Sequence, residues 1–105
     1  MAVFRLRVNL ALAVRHDRPL PILPSAGWLA RCRSHRLTLS ARHADFPGLL
    51  AEALDVLASF DMDVRMAAKT LGINASQLVK LLQLEPRALA QVNVRRRELG
   101  QVTLR

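Results

Sequence analysis

The residues of this sequence best suited to binding a ligand are arginines, and many of them are grouped. A guanidinium group presents a planar fork of N–H donors that matches the oxygens of a phosphate group. Such groups favour binding to a polyanion, because each neutralised phosphate releases counterions into the solvent. The arginines assigned to this role are Arg31, Arg33, Arg36, Arg42, Arg95, Arg96 and Arg97.

The overall charge agrees with a polyanionic partner. Sixteen Lys and Arg face eight Asp and Glu, which gives a formal net charge of +8. Residues 1–46 hold eight arginines against two aspartates, so the basic excess is concentrated in the front part of the chain. We expect a nucleic acid as the partner, RNA before DNA. The alternative is that the arginines keep a leucine-rich surface soluble, with their stems lying over apolar neighbours.

Catalytic and metal-binding patterns are weak. Cys32 and His35 have the Cys-x-x-His spacing of a metal-ligand pair, and His43 and Asp45 are the nearest further ligands. A second well-spaced pair is missing, and the neighbouring arginines would repel a cation. Read instead as a nucleophile and its base, the cysteine and histidine lack a third group to orient them. We therefore expect no metal, no cofactor and no catalytic residue.

The cysteine content and the apolar runs bear on the cellular compartment. A single cysteine excludes an internal disulfide framework and favours a reducing compartment, so we expect a cytoplasmic protein. No stretch approaches the roughly 20 apolar residues that a membrane-spanning helix needs. The apolar run 8–14 weakly resembles a secretory signal, but it stops at Arg15 without a small-residue cleavage site.

The first 15 residues fit two secondary structures. Alternation favours a strand, whereas the abundance of Ala, Leu and Arg favours a helix, which we predict. The alternating residues are Phe4, Leu6, Val8, Leu10, Leu12 and Val14. The helical face would consist of Phe4, Val8, Ala11, Leu12 and Arg15. In either structure both faces carry apolar side chains, so we expect this segment to be covered on more than one side.

Residues 16–44 are predicted to be a connector rich in proline and arginine, with short elements inside it. Pro19, Pro21 and Pro24 favour extended backbone. Ser25 can cap a short helix that reaches Cys32, and residues 36–40 form a brief extended piece.

Residues 45–105 are predicted to be a helical bundle. Asp45 is the expected N-cap of its first helix, which has a single apolar face. Glu52 and Asp55 lie one turn apart on the opposite face, which we interpret as solvated. The apolar face comprises Phe46, Leu49, Leu50, Ala53, Leu54, Leu57 and Ala58.

Three more helices follow from start and stop signals in the sequence. The second begins after Asp61 or Asp63 and ends at Gly72. Asn74 caps the third helix, and Pro86 opens the fourth, which Gly100 closes.

Residues 64–83 have the pattern of a helix-turn-helix. Ala68 allows two helices to approach closely, Gly72 permits a left-handed turn, and Asn74 caps the second helix. The residues predicted to fill the space between the helices are Leu71, Ile73, Leu78 and Leu81. Those predicted to point outward, as on a recognition helix, are Ser76, Gln77, Lys80 and Gln83. The same spacing also describes a three-helix bundle that makes only protein contacts.

Several segments together resemble the C-terminal part of bacterial peptide chain release factor-like proteins, the small relatives of class I release factors. Residues 41–58 read ARHADFPGLLAEALDVLA, and residues 71–82 contain LGI followed by SQLVKLL. Residues 86–93 and the segment 2–12, AVFRLRVNLAL, extend the resemblance over nearly the whole chain. It implies a helix at the N-terminus, one that follows the catalytic domain in that family.

The resemblance also implies what this chain lacks. Peptidyl-tRNA hydrolysis in the family depends on a Gly-Gly-Gln loop, and this sequence has none; Leu99-Gly100-Gln101 has one glycine too few. No catalytic residue is therefore carried over. Since Met1 falls within what resembles an interior helix, we expect residues 1–15 to be the remnant that follows a missing catalytic domain.

The sequence thus predicts a mostly α protein: an N-terminal helix, a Pro-rich connector and a three- to four-helix bundle containing a helix-turn-helix. The expected function is a non-catalytic module that binds RNA or the ribosome and is linked to translation termination or ribosome rescue. The alternatives are a helix-turn-helix DNA-binding transcriptional regulator and a protein-interaction module.

Overall fold

The computed structural model describes residues 2–15, 22–33, 36–37 and 44–105. Within these residues the chain is mostly helical, as predicted, with one short antiparallel hairpin that pairs Cys32 with Leu37 and Arg33 with Arg36. The elements in chain order are α1 (Ala2–Ala13), α2 (Ala26–Arg31), β1 (Cys32–Arg33), β2 (Arg36–Leu37), α3 (Phe46–Ser59), α4 (Val64–Leu71), α5 (Ala75–Gln83) and α6 (Pro86–Glu98).

Segment 2–13 is a helix, so the helical interpretation is confirmed and the strand alternative is wrong. The predicted face packs inward: Val8, Ala11 and Leu12 are buried and Phe4 is half-buried against the core. The other apolar stripe remains exposed, so the structure covers this helix on one side. The exposed residues of that stripe are Val3, Leu6, Leu10 and Val14.

Helix α3 is the centre of the fold. It packs against α1, α4 and α5, and apolar side chains on several of its faces are buried. The prediction of a single-faced amphipathic helix is therefore wrong: Val56 is buried although it lies outside the predicted face, and Ala58 is exposed although it lies within it. A helix enclosed by several neighbours has no wide solvent face.

The two acidic residues of α3 are buried, which contradicts the expected solvated face. Glu52 accepts hydrogen bonds from the backbone N–H of Ser25, at 2.7 Å, and from its hydroxyl. Asp55 is 1% exposed. Burial lowers the pKa of the Arg15 guanidinium, while the negative charge of Asp55 acts in the opposite direction. The segment before α2 therefore covers one carboxylate, and Arg15, two residues beyond the end of α1, partly compensates the charge of the other.

The ends of the later helices follow the sequence signals. Asp63 and Asn74 accept hydrogen bonds from the N–H groups of Met66, at 3.1 Å, and Gln77, at 2.9 Å. Gly72 has φ of +77°, the left-handed conformation expected at the turn. These local predictions are confirmed because each cap depends on contacts within three residues of the chain.

Asp45 is the exception among the predicted caps. It occupies the N-cap position of α3, but its side chain makes no capping hydrogen bond. Its Oδ2 instead accepts from Arg31 Nη2 at 2.8 Å and from Arg31 Nε at 3.2 Å. The carboxylate thus links α2 to the start of α3.

The helix-turn-helix consists of α4, the turn at Gly72 and α5. Ala68 is 1% exposed and α4 packs against α5, so this small side chain is enclosed in the bundle. The four residues predicted to fill the space between the helices are all buried: Leu71, Ile73, Leu78 and Leu81. Helix α6 packs against α5 and closes the bundle with Ala88 and Val92.

Candidate nucleic-acid interface

An open groove of about 780 Å³ lies on the outer side of the helix-turn-helix. Its walls come from α4, α5, α6 and the C-terminal tail, residues 101–105. Four basic side chains of the described residues line it: Arg65, Lys80, Arg96 and Arg105. Asp63 is the acidic side chain that lines the groove among the described residues. The groove therefore concentrates positive charge beside α5, where it can contact phosphate groups.

Three of the four polar residues predicted on α5 face this groove. Ser76, Lys80 and Gln83 are exposed and line it together. They lie three or four residues apart, which places them on one stripe of the helix. The exposed members of this stripe are polar, whereas Val79 between them is half-buried, so the stripe can offer hydrogen bonds and charge to a hydrated partner.

Gln77 does not belong to that stripe, which is a correction to the sequence prediction. It is half-buried, and its Oε1 accepts the backbone N–H of Leu37 at 2.8 Å. The side chain holds strand β2 against α5, and this contact fixes its orientation away from the groove. Because the two residues are 40 positions apart, no local pattern could have indicated this contact.

Arg96 also has a structural role. Its Nη1 donates to the Met62 carbonyl at 2.6 Å, and its Nε donates to the Val102 carbonyl at 2.7 Å. Asp61 and Met62 have φ of +52° and +64°, a conformation that costs non-glycine residues roughly 1–2 kcal/mol each. Arg96 thus ties the strained turn between α3 and α4 to the tail.

The C-terminal tail is held along α6 and the end of α5. Asn93 Nδ2 donates to the Leu104 carbonyl at 2.8 Å, and its Oδ1 accepts the Leu104 N–H at 2.6 Å. Gln83 Nε2 donates to the Arg105 carbonyl at 2.8 Å, so part of the hydrogen-bonding capacity of Gln83 is used within the protein. These contacts place Arg105 in the groove, a position that the sequence pattern did not indicate.

The three consecutive arginines of α6 do not form one patch. Successive helical residues point about 100° apart, and only Arg96 of the three lines the groove. Arg97 is exposed, and Arg95 forms an ion pair with Glu98 at 3.4 Å in which both side chains are more than half exposed. Such a pair contributes little to stability, so Arg95 remains available to an anion.

The front arginines are brought next to α5 through the hairpin. Arg33 and Arg36 occupy paired positions of β1 and β2, and the neighbouring residue Leu37 bonds to α5. Arg31 is half-buried and engaged by Asp45, which reduces its availability. The prediction for Arg42 falls outside the described residues.

Trp28 anchors the front segment to the helix-turn-helix. Its side chain is 0% exposed, and the indole Nε1 donates to the Leu71 carbonyl at 2.8 Å. Cys32 Sγ contacts the Gly72 carbonyl oxygen at 3.6 Å. Both contacts end at the turn between α4 and α5, so α2 and the hairpin are fastened just before α5 begins.

Arg65 on α4 is a basic residue of the site that the sequence pattern did not single out. It is exposed, lines the groove and lies four residues before the exposed Lys69 on the same helix. The signal that could have found it is the i, i+4 spacing of two cations on the first helix of the motif.

The residues of the Cys-x-x-His pattern are only partly covered by the structure. Cys32 and Asp45 make the contacts given above, while His35 and His43 fall outside the described residues. Among the residues that the structure does describe, no three His, Cys, Asp or Glu side chains come together as metal ligands would. None of the helices in this part of the chain has the length and apolar character to cross a bilayer.

The arrangement as a whole can bind phosphate groups by charge and polar groups by hydrogen bonding. The cations come from α4, α5, α6 and the tail, and the hairpin adds two arginine positions on the other flank of α5. Comparison with protein-family models, with curated proteins and with solved structures gave no match to this chain.

Proposed function

We propose that this protein is a non-catalytic RNA-binding module that acts on the ribosome, in translation termination or ribosome rescue. The observation that carries the proposal is the groove beside α5, where four basic side chains meet. The ribosomal setting comes from the resemblance of residues 2–12 and 41–93 to release factor-like proteins. The absence of a Gly-Gly-Gln sequence supports a binding role without peptidyl-tRNA hydrolysis.

The charge of the groove gives the expected strength of salt dependence. If four cations each neutralise one phosphate, the logarithm of the affinity falls with the logarithm of salt concentration with a slope of about −3 to −4. A fourfold increase in salt then weakens binding roughly a hundredfold. Co-sedimentation with ribosomes should accordingly be strong at low ionic strength and be lost as salt is raised.

A pair of charge-matched variants tests whether the groove is responsible. The double variant Arg65→Ala, Lys80→Ala removes two cations that line it. The control Arg5→Ala, Arg7→Ala removes two exposed cations of α1 that do not line it. We expect the groove variant to reduce ribosome binding at least tenfold more than the control. Equal losses would show that net charge, not this surface, governs binding.

A direct assay tests the absence of catalysis. The purified chain should leave peptidyl-tRNA on ribosomes intact over times in which an active release factor consumes it. Turnover by this chain alone would contradict the proposal. A sequence-dependent preference among DNA duplexes, without ribosome binding, would favour the regulator interpretation instead.

A further inference from the structure

The aromatic side chains are unavailable for stacking on nucleobases. The chain has three Phe, one Trp and no Tyr, and all four aromatic residues lie within the described part of the structure. Trp28 and Phe46 are buried, and Phe4 and Phe60 are half-buried against the core. Proteins that bind single strands usually stack the bases on exposed aromatic rings, each worth about 1–3 kcal/mol. The protein therefore has no exposed aromatic ring on which a base could stack.

The exposed stripe of α5 is better suited to the backbone of a duplex. Nine helical residues span about 13 Å. Ser76 and Gln83 present a hydroxyl and an amide along this length, and Lys80 lies between them. The basic groove borders one side of the stripe, and the hairpin that Gln77 holds borders the other. The positive charge of the groove can therefore reach phosphates along a helix laid in a nucleic-acid groove.

The shape of the nucleic acid decides which groove can receive α5. The major groove of A-form RNA is too deep and narrow for side chains to read, whereas its minor groove is wide, shallow and lined with 2′-hydroxyls. The minor groove of B-DNA is only about 6 Å wide, and its major groove is read through base edges. Gln77 accepts a hydrogen bond from Leu37 and does not line the groove, and Gln83 Nε2 donates to the Arg105 carbonyl. Few side chains on α5 therefore remain to read bases.

We infer that the α5 surface binds double-stranded RNA across its minor groove, which deepens and rests on the proposed RNA-binding function. Lys80, Arg65 and Arg105 contact phosphates of the two strands. Ser76 Oγ and the Gln83 amide hydrogen-bond to 2′-hydroxyls. Recognition is by the shape and backbone of the duplex, so it depends little on base sequence.

The test compares three nucleic acids by fluorescence anisotropy with the full chain. The probes are an RNA duplex of about 16 base pairs, the span that double-stranded RNA-binding domains cover, the DNA duplex of the same sequence, and an unstructured single-stranded RNA with the same number of phosphates. We expect the RNA duplex to bind about tenfold more tightly than the DNA duplex, as two hydrogen bonds to 2′-hydroxyls would provide. It should also bind more tightly than the single strand, which has the same hydroxyls but not the fixed spacing of phosphates on two strands. Binding to the single strand or to the DNA duplex that is as tight as binding to the RNA duplex, or tighter, would overturn the inference.

Two variants separate the 2′-hydroxyl contact from charge. Ser76→Ala should reduce the preference for RNA over DNA about threefold while leaving DNA affinity unchanged. Lys80→Ala should weaken binding to the RNA duplex and to the DNA duplex by the same factor. Thr103→Ala removes an exposed hydroxyl that does not line the groove and is the control. If Ser76→Ala and the control have the same ratio of RNA-duplex affinity to DNA-duplex affinity, then Ser76 makes no contact with a 2′-hydroxyl in the minor groove.

The two proposals fail in different ways. A chain that co-sediments with ribosomes but prefers single-stranded RNA retains the proposed function and overturns the duplex inference. A chain that binds neither ribosomes nor any RNA probe at low salt overturns both.

Discussion

Replacing Trp28 by Phe tests whether the indole N–H anchors the front segment to the helix-turn-helix. The residue is fully buried, and its Nε1 lies 2.8 Å from the Leu71 carbonyl oxygen. Phe retains most of the apolar ring but leaves this buried carbonyl without the indole donor, which costs about 1–3 kcal/mol. The smaller ring leaves a cavity that adds about 1 kcal/mol. The free energy of unfolding should therefore fall by about 2–4 kcal/mol, a large part of the roughly 5–15 kcal/mol typical of a domain.

The assay for Trp28→Phe is urea unfolding followed by circular dichroism at helical wavelengths, since the variant has lost its only tryptophan. In thermal unfolding we expect the midpoint to fall by about 10–20 °C. Leu29→Ala is the matched control, because Leu29 belongs to the same helix but is 58% exposed, and its effect should stay within about 0.5 kcal/mol. A loss of stability in Trp28→Phe no greater than in the control would refute the anchoring role.

Three further changes have defined outcomes. Gly72→Ala places a side chain at φ +77° and should cost about 1–2 kcal/mol in urea unfolding, whereas Gly48→Ala, in a helix with open space around it, should be neutral or stabilising. Asn93→Ala removes the two hydrogen bonds to Leu104 and should loosen the end of the tail, seen as faster proteolysis near Leu104 with the bundle intact; an unchanged cleavage rate would contradict the role of Asn93 in holding the tail. Hydrogen bonding to Arg87 lowers the pKa of Glu85, so its ionised form stabilises the fold and this contribution disappears as pH falls through the lowered pKa. Glu85→Gln should thus be less stable than wild type at neutral pH and equal to it in acid, and a difference that persists in acid would count against the ion pair.

The local architecture follows from the amino-acid sequence because its determinants are close together in the chain. The caps at Asp63 and Asn74 bond to backbone N–H groups three residues away, and Gly72 supplies the left-handed turn itself. The inward face of α1 follows from helical periodicity once a helix is assumed. These features need no knowledge of what the helices pack against.

Partners distant in sequence decide which polar residues are free. The sequence places Glu52 on a solvated face, but in the structure Ser25, 27 positions earlier, donates a hydrogen bond to it and covers it. The sequence predicts that Gln77 points outward from α5, but in the structure its Oε1 accepts a hydrogen bond from Leu37, 40 positions away. Arg96 is one of three equivalent arginines in the sequence, but helix rotation directs it to the turn at Met62, 34 positions away. Periodicity identifies the exposed face of an isolated helix, whereas packing of the other elements determines how much of that face remains accessible.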